Sequence, residues 1–178
     1  APGFDEILDR NIVYTYNYVL ILGSLAEIRG YVYKHSVRNK LPQYIFSKDR
    51  QHWIYKKTTD LGWPIKGYLD IKLSKNEELL SPLSFWQAKK NHHLIIRAAY
   101  KTKAKKAKVY WQYFGEEDFR KTNCVEFNIN SDQKFETYDI PIGTKINYKG
   151  IISRLKIIPT TDEQESKGWV KIKSITIR

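Results

Sequence analysis

Apolar residues in this chain come in short bursts in which every second position is hydrophobic, separated by polar turns. The clearest bursts are Tyr14–Leu22, Ile28–Tyr33, Tyr68–Leu73, Leu94–Tyr100, Val109–Phe114, Cys124–Ile129, Phe135–Ile140, Ile151–Ile158 and Trp169–Ile177. A period of two puts one side of each burst against a core and the other toward water, and helical spacing is almost absent. The pattern predicts an all-β antiparallel sandwich or barrel, and its lack of strand–helix alternation excludes a βαβ fold. Turn chemistry agrees at Asn130-Ser131-Asp132, Pro141-Ile142-Gly143, Lys149-Gly150 and Pro159 through Gly168. Two short segments carry helical cues, Phe4–Arg10 and Ser74–Leu80. In the second, Ser74 and Glu77 have the spacing of a capping box.

Phase adds detail. Val125, Phe127 and Ile129 share one face of their burst, opposite Cys124, Glu126 and Asn128. In the last burst Val170 and Ile172 are in one phase and Ile175 and Ile177 in the other, which predicts a β-bulge near Lys173–Ser174. No internal repeat or low-complexity linker interrupts the 178 residues, which fit one domain.

Composition adds aromatics and charge. Hydrophobic residues make up 42% and aromatics 14%, which excludes a wholly disordered chain. The excess of 13 Tyr and 5 Trp leans toward β structure and toward ligand stacking. Lys plus Arg number 31 against 19 Asp plus Glu, and the resulting +12 favours polyanions. Between Glu78 and Glu116 there is no acidic residue, while Lys89, Lys90, Arg97, Lys101, Lys103, Lys105, Lys106 and Lys108 lie there with His92 and His93. Lys101–Lys108 falls between two bursts and reads as a hairpin loop and its flanks. Such a loop can hold sulfates, carboxylates or phosphates by salt-sensitive attraction. A solvated turn and a lysine-guarded strand edge are the competing readings.

The tryptophans divide by context. Trp111 and Trp169 sit in bursts and read as core, whereas Trp53, Trp63 and Trp86 sit among loop residues and are candidates for stacking on a ligand. Catalytic patterns are poor: Glu116, Glu117 and Asp118 are consecutive and would diverge, and His92 and His93 are adjacent without metal spacing. No nucleophile elbow, P-loop or dinucleotide fingerprint occurs. Cys124 is alone, which excludes an internal disulfide. The run from Ile12 to Ala26 is broken by Thr15, Asn17, Gly23 and Ser24 and cannot span a bilayer as a helix. With Ala1 first and no basic-then-apolar leader, the chain reads as a processed form or a fragment of something longer.

The C-terminal portion has a recognisable order. Leu79-Leu80-Ser81-Pro82 is followed by Leu94-Ile95-Ile96-Arg97, Ala107-Lys108-Val109-Tyr110-Trp111, Phe119 and Asn123-Cys124-Val125-Glu126-Phe127. Phe135 to Ile140, Tyr148-Lys149-Gly150-Ile151 through Leu155 to Pro159, and Gly168-Trp169-Val170-Lys171-Ile172 to Ile175 complete it. This resembles the galactose-binding-like, jelly-roll β-sandwich modules attached to bacterial polysaccharide-degrading enzymes, with their W-x-G-x-I-x-x-L-R-x-x-P and G-x-V-x-I-x-x-I blocks. Tyr148 stands where the Trp is usual, and Lys156 lies near the usual Arg. The similarity covers about residues 68 to 178, leaving 1–67 as further strands or a decoration of one domain over 1–178.

The resemblance implies a non-catalytic carbohydrate-binding module, fused to or acting beside a glycoside hydrolase, polysaccharide lyase or sulfatase. It implies a secreted, periplasmic or cell-surface location. Combined with the charge, it points to an acidic polysaccharide, sulfated or uronic, held by loop aromatics and basic residues. The candidate ligand contacts are Trp53, Trp63, Trp86, Lys90, His92, Lys103, Lys105 and Lys106. Two alternatives stand beside this reading: a nucleic-acid-binding β-domain, disfavoured by the absence of a ribonucleoprotein-type aromatic motif, and a small polysaccharide lyase. No cofactor is implied beyond a structural Ca2+, which such sandwiches often carry. Its candidate ligands here are Glu116 to Asp118 and Asp162, whose spacing is not diagnostic.

Overall fold

A computed structural model describes residues 18–28, 31, 41–161 and 168–178. Within these residues the chain forms an antiparallel sandwich of two β-sheets. The strands are β1 (Gln43–Ile45), β2 (Ile54–Lys56), β3 (Leu69–Lys72), β4 (Glu78–Leu80), β5 (Trp86–Gln87) and β6 (Leu94–Lys101). They continue with β7 (Lys106–Tyr113), β8 (Cys124–Asn128), β9 (Glu136–Ile140), β10 (Ile151–Ile158) and β11 (Trp169–Ile177).

One sheet has five strands in the order β1-β11-β6-β9, with β3 also paired to β11; the other has six, ordered β2-β4-β10-β7-β8, with β5 also on β10. Successive strands change sheets in jelly-roll fashion except at β4–β5, which share a sheet, and β7–β8, which pair directly. The connection 102–105, expected as a hairpin, is a crossover, because β6 and β7 lie in different sheets. Inward positions of both sheets meet in one core that includes Ile96, Ala98 and Tyr100 of β6, Val109 and Trp111 of β7, Leu155 and Ile157 of β10, and Val170, Ile172, Ile175 and Ile177 of β11.

Seven of the predicted bursts are strands, and the predicted bulge is there. The β11–β6 register shifts between Ile172 and Ser174, so that Ile172 and Ile175 both face inward. A second bulge lies in β10, between Ile152 and Arg154.

Other expectations are overturned. Ser74–Leu80 is not a helix. Asn76 takes φ 58°, a left-handed conformation that a right-handed helix cannot continue through, and Glu78–Leu80 pairs with both β10 and β2. Glu77 is buried and accepts a 2.9 Å hydrogen bond from the Thr160 hydroxyl instead of capping a helix. Of the two N-terminal bursts, residues 18–22 are not strand, and 25–28 form a helical turn capped reciprocally by Ser24 and Glu27. Residues 14–17, 29–30 and 32–33 of those bursts, and the helix expected at Phe4–Arg10, lie outside the described residues. No helix among the described residues is long and apolar enough to cross a membrane.

The 3-10 turn Ile142–Thr144 presses on the β5–β6 connection. A Cβ on Gly143 would stand 2.4 Å from the Lys90 carbonyl oxygen and 2.6 Å from that of Lys89, and the Gly143 N–H donates to the His92 carbonyl at 2.9 Å. The obstructing atoms are all backbone, which cannot swing aside as a side chain can. Gly143→Ala is therefore expected to cost about 1–3 kcal/mol, the usual range for overpacking. Thermal melting should show this as a Tm lower by at least ~2 °C; an unchanged Tm would mean that the turn shifts freely.

Candidate functional site

On the outer face of the six-stranded sheet the strands leave an open cleft of about 790 Å³. Its floor is made by the outward phase of the central strands: Gln112 of β7, Arg154 and Lys156 of β10, and Glu78 and Leu80 of β4. One wall is the β4–β5 loop with Leu83 and Phe85, and the other is the start of the β7–β8 connection, residues 114–119. A further hollow of about 280 Å³ adjoins it, lined by Lys108, Tyr110 and Thr160, and shares Glu78 and Lys156 with it. Together they form a groove over β4, β10 and β7.

Two rings stand at the rim. Phe85 and Phe114 are 54% and 64% exposed and meet edge to face at 5.5 Å. Exposing two large rings side by side costs solvation, and it leaves an apolar platform for a flat, partly apolar ligand. Lys156 is held in the floor by an ion pair with Glu78 at 3.2 Å, its ammonium 4.8 Å from the Tyr110 ring centre and 4.9 Å from that of Phe119.

Arg154 differs from Lys156. Its Nε donates to the Ser81 carbonyl at 2.6 Å, and no carboxylate pairs with it among the described residues. Partial burial holds its pKa below the ordinary arginine value, so the charge is partly desolvated without a counter-ion. A guanidinium in that state attracts a planar carboxylate or a sulfate. The groove also carries carboxylates. Glu116 is engaged by the Tyr113 N–H and by Arg120, while Glu117 and Asp118 are exposed.

The sequence-predicted contacts do not converge here. Trp53 is 1% exposed and packs edge to face on Tyr44 and Phe46 at 5.3 and 6.0 Å. Trp86, also 1% exposed, donates from Nε1 to the Tyr148 hydroxyl at 2.8 Å. His92 is buried with its Nδ1 3.1 Å from the same hydroxyl. These three are core groups with no face for a ligand, because the chain turns inward at each of them. Trp63 does remain at the surface, 5.9 Å from the Arg50 guanidinium, in a connection that runs along the edge of β3.

Lys90 is exposed on the β5–β6 turn, and Lys103 and Lys105 on the crossover, whereas Lys106 faces outward from β7 and pairs with Glu126 at 3.5 Å. Trp111 is core as expected; Trp169 is not, being half-buried on the outer face of the five-stranded sheet. Among the described residues no group of acidic, His or Cys side chains could hold a metal ion, and Asp162 lies outside them. Sequence reasoning missed Phe85, Phe114, Arg154 and Lys156. The available signal was phase: Phe114 and the two cations occupy the outward positions of strands whose inward positions are Trp111, Leu155 and Ile157.

No family model matches the chain, and no curated protein matches it. Solved structures do. The chain is similar to a low-affinity xylan-binding module from Roseburia intestinalis (14% identity, 79% of this chain and 96% of that one, TM-score 0.46). It is also similar to the C-terminal carbohydrate-binding module of a marine laminarinase from Zobellia galactanivorans (10%, 76% and 98%, TM-score 0.44). A third similarity is to the glycoside hydrolase domain structure of Endo-D from Streptococcus pneumoniae R6 (10%, 77% and 21%, TM-score 0.46).

The groove wall rests on the Tyr148 cluster, which makes a pH prediction. Burial first, and then the positive charge of Lys89, lower the His92 pKa, so the folded state favours neutral imidazole. With the folded pKa depressed, this contribution is full above the unfolded value of about 6.5 and is lost as pH falls through the folded pKa. Stability is therefore expected to drop between pH 7 and 5 by an amount that His92→Gln removes, measured as Tm against pH. A variant with the same acid slope as the parent would show that other groups cause the loss.

Proposed function

We propose that this domain is a non-catalytic carbohydrate-binding module that holds a stretch of acidic polysaccharide, uronic or sulfated, in the groove of the six-stranded sheet. The observation that carries this reading is the exposed Phe85–Phe114 pair beside the unpaired, half-buried Arg154. A sugar ring lies its apolar face on an aromatic platform while its carboxylate or sulfate meets a guanidinium. Open ends let a polymer pass through without a chain terminus, which suits binding to an intact polysaccharide.

The groove's chemistry favours binding over catalysis. Its acids sit consecutively at 116–118 or are engaged by cations, as Glu78 is by Lys156, so no free pair of carboxylates spans a glycosidic bond. No histidine lines it among the described residues, which removes the usual base for an elimination. On this reading the domain acts outside the cell, attached to or alongside a polysaccharide-degrading enzyme, and raises its concentration on the substrate.

Calorimetric titration with a short oligogalacturonate tests it. Phe114→Ala is expected to weaken binding about tenfold with little change in Tm, since the ring is exposed. Arg154→Gln should lose about tenfold or more, equivalent to one charge-assisted hydrogen bond, while Arg154→Lys retains part of the affinity. Wild-type binding should weaken from 50 to 500 mM NaCl. Binding unaffected by both Phe114→Ala and Arg154→Gln would overturn the site, and shortening of the glycan on incubation would overturn the non-catalytic reading.

A further inference from the structure

We propose that the outer face of the five-stranded sheet is a second binding surface, which takes a long sulfated polysaccharide by charge alone. It shares only its ligand class with the groove on the opposite face. The register of β11 builds it. Trp169 stands directly between Lys72 on β3 and Lys101 on β6, and Ser174 stands beside Arg97. With strands about 4.8 Å apart, Lys72 and Lys101 flank the indole at roughly 10 Å from each other. All three cations are exposed, and no carboxylate pairs with them among the described residues. Lys105 on the adjoining crossover, also exposed, extends the positive strip beyond the end of β6.

Beneath these cations lies a layer of rings and lysines that satisfy one another. The Lys171 ammonium is 4.7 Å from the Trp169 ring centre and 5.0 Å from that of Tyr68, and it pairs with Asp70 at 3.5 Å. Lys173 is 4.2 Å from the Phe135 ring centre, and Tyr68 meets Phe135 at 5.7 Å, closing the layer across the sheet. Asp139 on β9, also on this face, is engaged by His93. On the other sheet Lys106 and Lys108 share Glu126, Lys156 has Glu78 and Arg120 has Glu116, while Arg154 has no carboxylate partner among the described residues. Gathering unpaired like charges on neighbouring strands costs stability, and an anionic polymer laid over them reverses the cost. Lysines lie over the Trp169, Tyr68 and Phe135 rings, where a base would have to stack, which favours a sulfated glycan over a single-stranded nucleic acid.

The test is heparin binding by the whole chain, measured at several NaCl concentrations. The triple variant K72S/R97S/K101S is expected to lose about tenfold or more in affinity, and the slope of log affinity against log salt should fall by about two, from a loss of ~0.7–0.9 per cation removed. The triple variant should keep the affinity of the groove for a short oligogalacturonate, which separates this face from the groove. Should the triple variant unfold, Lys101→Glu alone, at the exposed end of β6, is expected to weaken heparin binding at least threefold. Unchanged affinity and slope in the triple variant, or in Lys101→Glu if the triple variant unfolds, would overturn the proposal, as would an equal loss of oligogalacturonate binding in the same variant. Tighter binding of a single-stranded oligonucleotide than of heparin, abolished by the triple variant, would also overturn it in favour of nucleic acid.

Discussion

A buried hydroxyl organises the groove end of this sandwich. The Tyr148 oxygen accepts from Trp86 Nε1 and lies within hydrogen-bond distance of His92 Nδ1, with Trp111 packed edge to face on its ring at 5.4 Å. In that site the phenol is pushed up to about 12 by burial, and it stays neutral at any ordinary pH. It accepts from the indole and meets the imidazole nitrogen at hydrogen-bond distance, which leaves the buried Trp86 and His92 atoms it meets partnered. Three chain segments meet there: β5 and its turn, β7, and the connection before β10. Fixing Trp86 inward leaves its neighbour Phe85 outward, at the rim beside Phe114. The apolar platform is thus a by-product of core satisfaction, and the groove inherits the rigidity of the core.

What was legible in the sequence was phase. Long, strictly alternating strands are evident from their period, and the phase reversal in Trp169–Ile177 marks the bulge that the β11–β6 register contains. Short strands were silent: Gln43–Ile45, Ile54–Lys56 and Trp86–Gln87 have two or three residues, too few to show a period. The pattern Ser-x-x-Glu occurs at Ser24 and at Ser74 and means different things. At Ser24 the two side chains cap each other; at Ser74 the left-handed Asn76 and the pull of Leu79 into the core win over local capping. Local chemistry proposes, and burial of a leucine pair between two strands decides.

The tryptophans misled for the same reason. Being off a clear burst suggests exposure for Trp53 and Trp86, but an indole is large enough to fill a core from a turn, as Trp53 does, or from a two-residue strand, as Trp86 does. Trp169, in a burst, faces outward because Val170 and Ile172 own the inward phase. Neighbouring residue types were the weaker signal and phase the stronger. Charge followed phase as well. The lysine-rich window is not one loop but a seam between sheets, delivering Lys101 to one outer face and Lys106 and Lys108 to the other, where Glu126 neutralises them.

The two bulges are what make the outer faces chemically different from plain alternation. In β10, strict period two after the buried Ile152 would turn residue 154 inward; the extra residue lets Ser153 tuck its hydroxyl onto the Gln112 and Tyr113 carbonyls at 3.2 Å and sends Arg154 to the groove floor. In β11 the same device sets Lys173 beside the outward row, its ammonium over Phe135, while its carbonyl accepts the Phe46 N–H at 2.9 Å and carries the chain past β1. A charged side chain in the inward phase would have required a buried partner. Displacing the phase by one residue keeps the core apolar and places a cation on the surface, once on each central strand and once on each face. The β10 bulge thus puts a cation in the groove floor and the β11 bulge a lysine in the ring layer of the other face, one structural solution applied to the two strands with the most neighbours.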